Sequence, residues 1–369
     1  MGEVITTEAF VGRRHAIERS LVCAMQGQFP VLAHGPTGEV AAVFRTGAGH
    51  YGLSGTLATA WSTDGGYRWS DPVEVAPRGC DIRNPAFGVA SDGRWLLAYW
   101  QAGVHCYPPV TDSPTPRAQR RWRTPGVRPP DSAPDLFAVA SVDRGRTWSP
   151  PRAQHTTLLA WASPYGRIIA APDGSLVMAA YGMPRDAEET GRFDAVVMRS
   201  HDAGATWADE SLVAAGGSEL ALCFAAPDQL IGALRRAEGD TAIVHSRDAG
   251  RTWSAPAAVT RIAEHPADLC RLRGSGRILL TFGRRRRPLG LGALTSSDGG
   301  TTWDTDHEVL LAGDGIGHDV GYPSTVQLDD GALVTAAYFA HGSAASEASD
   351  GWGDTSCQAL HYREALVVP

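Results

Sequence analysis

The sequence predicts an all-β chain folded as a single six-bladed β-propeller, and two interleaved repeats carry that prediction. The first is an eight-residue box, Ser-x-Asp-x-Gly-x-Thr-Trp, which occurs five times: Ser62–Trp69, Ser141–Trp148, Ser200–Trp207, Ser246–Trp253 and Ser296–Trp303. Only the first box lacks its Thr, carrying Arg68 instead. Recurrence every 46 to 79 residues marks one supersecondary unit repeated about an axis or along a stack. The second repeat is a short turn, usually containing Gly, between two apolar runs. It is found at Thr37-Gly38, Asp92-Gly93, Asp173-Gly174, Asp228-Gln229, Ser275-Gly276 and Asp330-Gly331. Each reads as a hairpin of two inner strands.

Five of the six hairpins are followed by a box, and the sixth by Ala359–Val368, which is expected to supply the closing strand. Six four-stranded units closing on themselves leave no long exposed edge. In chain order the units span approximately 25–77, 80–156, 160–214, 216–261, 263–310 and 319–366, and residues 1–369 form one domain. Within each box the Asp carboxylate bonds nearby backbone N–H groups and the Gly tolerates a tight turn. The Trp covers apolar surface and seeks a partner for its indole N–H. The boxes are hairpin staples, with no catalytic part assigned to them. The second unit holds the one long interruption, at about 105–134, with eight prolines and Arg117, Arg120, Arg121, Arg123 and Arg128. It is not regular strand; a lid over one mouth and a disordered excursion are equally open readings.

A hydrophobic fraction of 43% with 20% charged residues is that of a globular chain with an ample core. The net charge of −7 argues against nucleic acid as a partner. All 33 basic residues are arginine, which rules out Schiff-base or lysine-base chemistry. The six cysteines, Cys23, Cys80, Cys106, Cys223, Cys270 and Cys357, lie far apart with no C-x-x-C spacing. They read as core thiols rather than a zinc site or a disulfide framework. No His/Asp cluster has metal-ligand spacing. With no apolar leader in Met1–Ser20 and no membrane-length apolar run, the chain as given is expected to be soluble and cytosolic, or secreted if a leader was removed.

In a propeller the first strand of each unit lines the axis, so residues at its entry crowd one mouth. Five entries carry a proline, expected to hold the preceding residue extended: Phe29-Pro30, Asn84-Pro85, Ser163-Pro164, His265-Pro266 and Tyr322-Pro323. The fourth entry is Ser218-Glu219. The second strands return to the same mouth, bringing Arg45, Tyr99-Trp100, Tyr181, Arg235-Arg236, Arg284–Arg287 and Tyr338. Charged groups are rarely buried unless paired, so this ring is either a substrate pocket or a water-filled mouth with salt bridges. Arg83 and Asn84 either hydrogen-bond a ligand in the mouth or cap backbone groups. His265 and His318 are further candidates for moving a proton, and Asp319 either orients His318 or makes a turn.

The boxes resemble the Asp boxes of the sialidase (neuraminidase) superfamily, six-bladed propellers that cleave terminal sialic acid. That resemblance implies three arginines on the substrate carboxylate, a Tyr nucleophile paired with a Glu, and an Asp as acid/base. Glu219, followed sixteen residues later by Arg235, is similar to the family's Glu and second arginine. Arg284, after Phe282-Gly283, resembles the third, leaving Arg285–Arg287 as a mostly solvated face. Tyr322 in Gly321-Tyr322-Pro323-Ser324 matches the nucleophile segment. Two positions depart: Gln28 stands where the family has its first arginine, and the loop Arg45–His50 holds no carboxylate, leaving His50 as its proton-transfer group.

A tyrosine with a reference pKa of ~10 attacks at neutral pH only if a neighbour takes its proton. Glu219 across the mouth is placed for that, with arginines expected to favour the phenolate. Arg45, Arg235 and Arg284 would then hold an anionic group. The expected activity is hydrolysis of a terminal acidic sugar, without cofactor or metal. The same residues also suit a uronate lyase, in which Tyr and His eliminate the glycosidic oxygen, or a glycan-binding propeller without catalysis. The expected partner is a glycan or small acidic sugar, not nucleic acid or a membrane.

Overall fold

Strands that are packed on both faces need apolar residues on both, and the inner repeats have them: all seven positions of β20 (Ile278–Arg284) are buried. The computed structural model describes residues 5–11, 13–48, 54–75, 80–90, 92–102, 135–185, 192–340 and 355–368. The segment at about 105–134 therefore lies outside the described residues.

Blade 1 is β3 (Gln28–His34), β4 (Val40–Thr46), β5 (Thr56–Ser62) and β6 (Val73–Glu74). Blade 2 is β7 (Asp81–Val89), β8 (Trp95–Ala102), β9 (Leu136–Ser141) and β10 (Arg152–Gln154). Blade 3 is β11 (Ser163–Ala170), β12 (Leu176–Gly182), β13 (Asp194–Ser200) and β14 (Ala208–Ala215). Blade 4 is β15 (Gly217–Ala226), β16 (Gln229–Arg236), β17 (Thr241–Ser246) and β18 (Ala257–Ala258). Blade 5 is β19 (Glu264–Arg271), β20, β21 (Gly290–Ser296) and β22 (Val309–Ala312). Blade 6 joins β23 (Gly321–Gln327), β24 (Ala332–Ala340) and β25 (Thr355–Arg363) to the N-terminal β2 (Arg13–Cys23) and β1 (Ile5–Val11). A short parallel contact, Gly166 to Ala86 and Arg167 to Phe87, links blades 2 and 3.

Each anticipated inner hairpin is present, and every turn falls between the first and second strands of its blade. The closing strand differs from expectation. The C-terminal segment forms the third strand of blade 6, and β2 pairs outside it, from Glu18 against His361 to Cys23 against Cys357. The ring is thus closed by hydrogen bonds between the two ends of the chain.

The five boxes begin on the last residue of each third strand. In the second, Ser141 Oγ donates to Asp143 Oδ1 at 2.8 Å and accepts Gly145 N at 2.8 Å. Asp143 also accepts Thr147 N at 2.8 Å and Thr147 Oγ1 at 2.6 Å. The same bonds recur at Asp202, Asp248 and Asp298. In the first box Arg68 provides only its backbone N–H. Three indoles close the turn by donating to the Gly carbonyl: Trp69, Trp253 and Trp303, at 2.7, 2.9 and 3.0 Å.

These donors set the box carboxylates' acidity. Hydrogen bonds from Thr147 hold Asp143 at about 2. At Asp202 and Asp298 burial pushes upward, but the Thr and Ser donors outweigh it and the pKa again settles at about 2. With an unfolded value of ~3.9, their stabilisation is complete above that pH and is lost as pH falls through about 2. Urea unfolding at pH 6 and pH 3 should therefore show a falling midpoint. Thr206→Val, which deletes one donor on an exposed turn, should cost about 0.5 kcal/mol and shift that fall to higher pH.

Candidate active site

Each inner strand carries a β-bulge, at its entry in five blades and further along β11 in blade 3. Pairing between first and second strands slips at Gln28/Val31, Arg83/Ala86, Tyr165/Ile169, Ser218/Leu220, Glu264/Ala267 and Gly321/Ser324. Within five of these slips a residue has positive φ: Phe29 (54°), Asn84 (53°), Gly166 (72°), Glu219 (30°) and Tyr322 (51°). The prolines therefore do not hold Phe29, Asn84 and Tyr322 extended. A left-handed residue opposite a ladder break turns its side chain out of the strand's alternation, at a cost of about 1–3 kcal/mol. In blade 4 the bulge sits beside the Ser218–Arg235 register pair.

This geometry brings Tyr322, Glu219 and Arg235 into direct contact. The Tyr322 hydroxyl donates to Glu219 Oε1. Arg235 Nη1 donates to Glu219 Oε2 at 2.7 Å. The Arg285 guanidinium lies 5.7 Å from the Tyr322 ring centroid, its Nε bonds the Val320 carbonyl at 3.3 Å, and its buried Nη2 has no hydrogen-bond partner. Phe29 meets the Tyr322 ring edge-on at 4.8 Å, with Tyr338 and Tyr165 at 5.7 and 6.1 Å. Below, a cavity of about 10 Å³ bordered by Phe29, Asn84, Tyr165 and Asp268 has room for one water-sized group. Further down, Arg167 pairs with Asp268 at 3.0 Å and donates to the Thr325 and Leu269 carbonyls, so cross-blade polar contacts fill the axis.

Burial raises the Glu219 carboxyl, but Arg235, the Tyr322 hydroxyl and Arg285 together hold it below the ordinary carboxylate range. Tyr322 goes the other way: burial first, then the Glu219 charge, push it well above 10 despite both arginines. The arginines do favour the phenolate, as expected, but burial and the Glu219 charge outweigh them. The resting pair is a protonated Tyr322 donating to an ionised Glu219.

The remaining candidates divide. Arg45 and Asp81 form a fully buried ion pair at 2.6 Å joining blades 1 and 2, and Arg45 also donates to the Ile82 carbonyl. Gly55 permits this, since a Cβ there would lie 2.2 Å from the guanidinium. Arg45 is therefore a buried structural ion-pair partner rather than a group open to substrate. Arg83 approaches the same Asp81 at 3.2 Å and stacks on Trp100 at 4.6 Å. Asn84 donates to Ser163 Oγ at 2.8 Å and to the Tyr181 hydroxyl at 2.9 Å, on the floor beside Tyr322.

Arg284 is held by Glu308 at 3.2 Å, Glu264 at 3.7 Å and the Pro288 carbonyl at 2.7 Å. Arg285, one residue past the strand end, stands over Tyr322 in its place. Four consecutive arginines carry no periodicity to distinguish them; only the strand end at Arg284 marks where alternation stops.

His265 is buried beside Arg235 and Arg285. Burial and those two charges push its pKa down to about 3, so it is neutral at physiological pH and holds no acid proton to give. His318 is exposed, its Nδ1 donating to the Arg285 carbonyl at 2.9 Å. Asp319 accepts the Tyr338 hydroxyl at 2.5 Å instead of orienting His318. His50 lies outside the described residues. Tyr338, beneath the Tyr322–Arg285 pair, was visible in the sequence only as a strand-exit position. No group of three or more His, Cys, Asp or Glu among the described residues is placed to hold a metal ion.

A family model described as a BNR repeat-like domain matches residues 118–335. Among solved structures the chain is similar to a protein of unknown function from Dyadobacter fermentans, at 21% identity and a TM-score of 0.72, covering 94% of this chain and 98% of that one. It is similar to a Hadza microbial sialidase at 19% identity and a TM-score of 0.70, covering 96% and 73%. A Trypanosoma rangeli sialidase in complex with sialic acid matches at 14% identity and a TM-score of 0.61, covering 97% of this chain but 58% of that one. These likenesses are of fold, and the chain spans little more than half the trypanosomal enzyme. No curated protein matches it.

Adjacent arginines give a direct test of the placement. Arg284→Ala should destabilise the protein by about 2–3 kcal/mol, since it strips a buried pair from Glu264 and Glu308. Arg285→Ala should cost less than about 1 kcal/mol. Denaturant midpoints of the two variants check the contrast; equal losses would contradict it.

Proposed function

Because this chain belongs to the BNR repeat-like domain family, we propose that it is a sialidase-like exo-glycosidase acting on a terminal anionic sugar. The observation that carries the proposal is the Tyr322 hydroxyl bonded to a Glu219 carboxylate that Arg235 keeps ionised. Glu219 takes the phenolic proton as Tyr322 attacks the anomeric carbon. A neutral nucleophile suits a carbon that bears a carboxylate, because an anionic one would be repelled. Arg235, and Arg285 with its unsatisfied Nη2, receive the sugar's carboxylate. The Trypanosoma rangeli sialidase, which shares the fold, has been solved with sialic acid, and this supports an acidic sugar as ligand.

The leaving oxygen needs a proton from another group. His265 is excluded by its neutrality at physiological pH, and His50 remains the proposed donor. Elimination from a uronate is the second reading, favoured by the absence of a carboxylate from the Arg45–His50 loop.

Assaying sialosides and uronate glycans for released sugar and for ultraviolet absorbance separates the readings, since only a lyase leaves an unsaturated product. Tyr322→Phe and Glu219→Gln should each lower kcat about 10²–10⁴-fold, and Arg285→Ala should mainly raise KM, by about 10–100-fold. Unchanged turnover in Tyr322→Phe would remove Tyr322 as the nucleophile, and no turnover of any anionic glycan by the wild type would end the enzymatic reading. The sign of the Glu219 shift fixes a pH response as well. Its activity limb should fall below ~4.3, so a limb between pH 5 and 8 reports the proton donor.

A further inference from the structure

The N- and C-terminal parts of the chain meet in a backbone hydrogen-bonded seam between β2 and β25, and the last pair in that seam is two cysteines. Cys23 stands directly opposite Cys357, just beyond the bulge that ends regular pairing at Leu21. Residues opposed on antiparallel strands share a face, with Cα atoms about 4.5–5.5 Å apart. A disulfide spans Cα separations of about 4.4–6.8 Å.

A second observation draws the two side chains together. A Cβ built on Gly27 would lie 2.6 Å from the Cys357 Cβ and 3.2 Å from the Cys23 Cβ. Both thiol-bearing carbons therefore crowd the same side-chain-free position, where Gly27 sits at φ 75°. Cys357 is fully buried, whereas Cys23 is part-exposed and its Sγ–H donates to the Met25 carbonyl at 3.0 Å. Both thiols are free in this structure.

We propose that Cys23 and Cys357 are an oxidisable pair whose disulfide converts the hydrogen-bonded seam into a covalently closed ring. The oxidant is a low-molecular-weight disulfide. The Cys23 thiolate, rotated away from the Met25 carbonyl, attacks it; a mixed disulfide forms and one small thiol leaves. The Cys357 thiolate then attacks the Cys23 sulfur, the protein S–S bond forms and the second small thiol leaves. The two protons lost by the cysteines are balanced by the two released thiols. Burial lifts both thiols above the usual cysteine range, so exchange is slow at neutral pH and accelerates as pH rises.

The seam runs into the site. Four residues after Cys23 the chain reaches Gly27, then Phe29, whose ring packs on Tyr322. A bond at Cys23 thus anchors the segment carrying that aromatic wall. The inference rests on strand register and the crowding at Gly27, and stands whatever the protein's substrate.

The full-length protein is incubated with oxidised glutathione at pH 8.5, its free thiols are alkylated, and the digest is mapped by mass spectrometry. The expected result is a peptide linking Cys23 to Cys357, and an unfolding midpoint raised by roughly 5 °C that dithiothreitol reverses. Cys23→Ser, at the part-exposed partner, should abolish both effects and Cys80→Ser neither. Full alkylation of Cys23 and Cys357 after oxidation, a bond mapped to other cysteines, or a link without thermal gain would each overturn the proposal.

Discussion

A ring of sheets is stable only if its first and last strands find each other, and here that condition is met by β2 lying along β25. Pairing between the chain's two ends turns a row of blades into a closed wheel and removes the exposed edges an open stack would leave. Every cross-blade contact in the mouth depends on it. Tyr322 comes from blade 6, Glu219 and Arg235 from blade 4, Arg285 from the end of blade 5 and Phe29 from blade 1. No pair of neighbouring blades holds the whole set.

Closure alone would place alternating strand residues in the core. The repeated bulge adds the second ingredient, turning a side chain toward the mouth at four entries, those of Phe29, Asn84, Glu219 and Tyr322. The backbone strain at Phe29, Asn84, Glu219 and Tyr322 is carried by the packed hairpins behind them. In blades 1 to 5 the third strand ends in an Asp box whose bonds close within its own turn. Rigid outer turns and a strained inner rim divide the work between stability and site.

The mouth is also an electrostatic unit. Glu219 is buried yet ionised because Arg235 and Arg285 face it, and burial followed by the Glu219 charge keeps Tyr322 protonated. Burial, with the same two arginines, keeps His265 neutral. A carboxylate, a phenol and an imidazole thus depart from their reference acidities through burial and one small charge cluster. Arginines next to one another in sequence serve opposite ends: Arg284 is consumed by Glu264 and Glu308, while Arg285 keeps an unsatisfied donor.

Local hydrogen-bond chemistry was legible in the chain. A Ser, an Asp, a Gly and a Thr at fixed spacing can satisfy one another within a single turn, so repetition of the box revealed a repeating unit and its phase. Paired apolar runs about short turns revealed the inner hairpins, and the residues at their ends mapped the mouth, including Tyr322, Glu219 and Arg235. The closing role of β2, the choice of Arg285 over Arg284, the sequestering of Arg45 by Asp81, and the protonation of Tyr322 and His265 were settled only by tertiary structure. Each of these depends on groups distant in the chain or from another blade. Side-chain direction beyond a strand end, and the energy of a charge, are set by neighbours that sequence spacing does not encode.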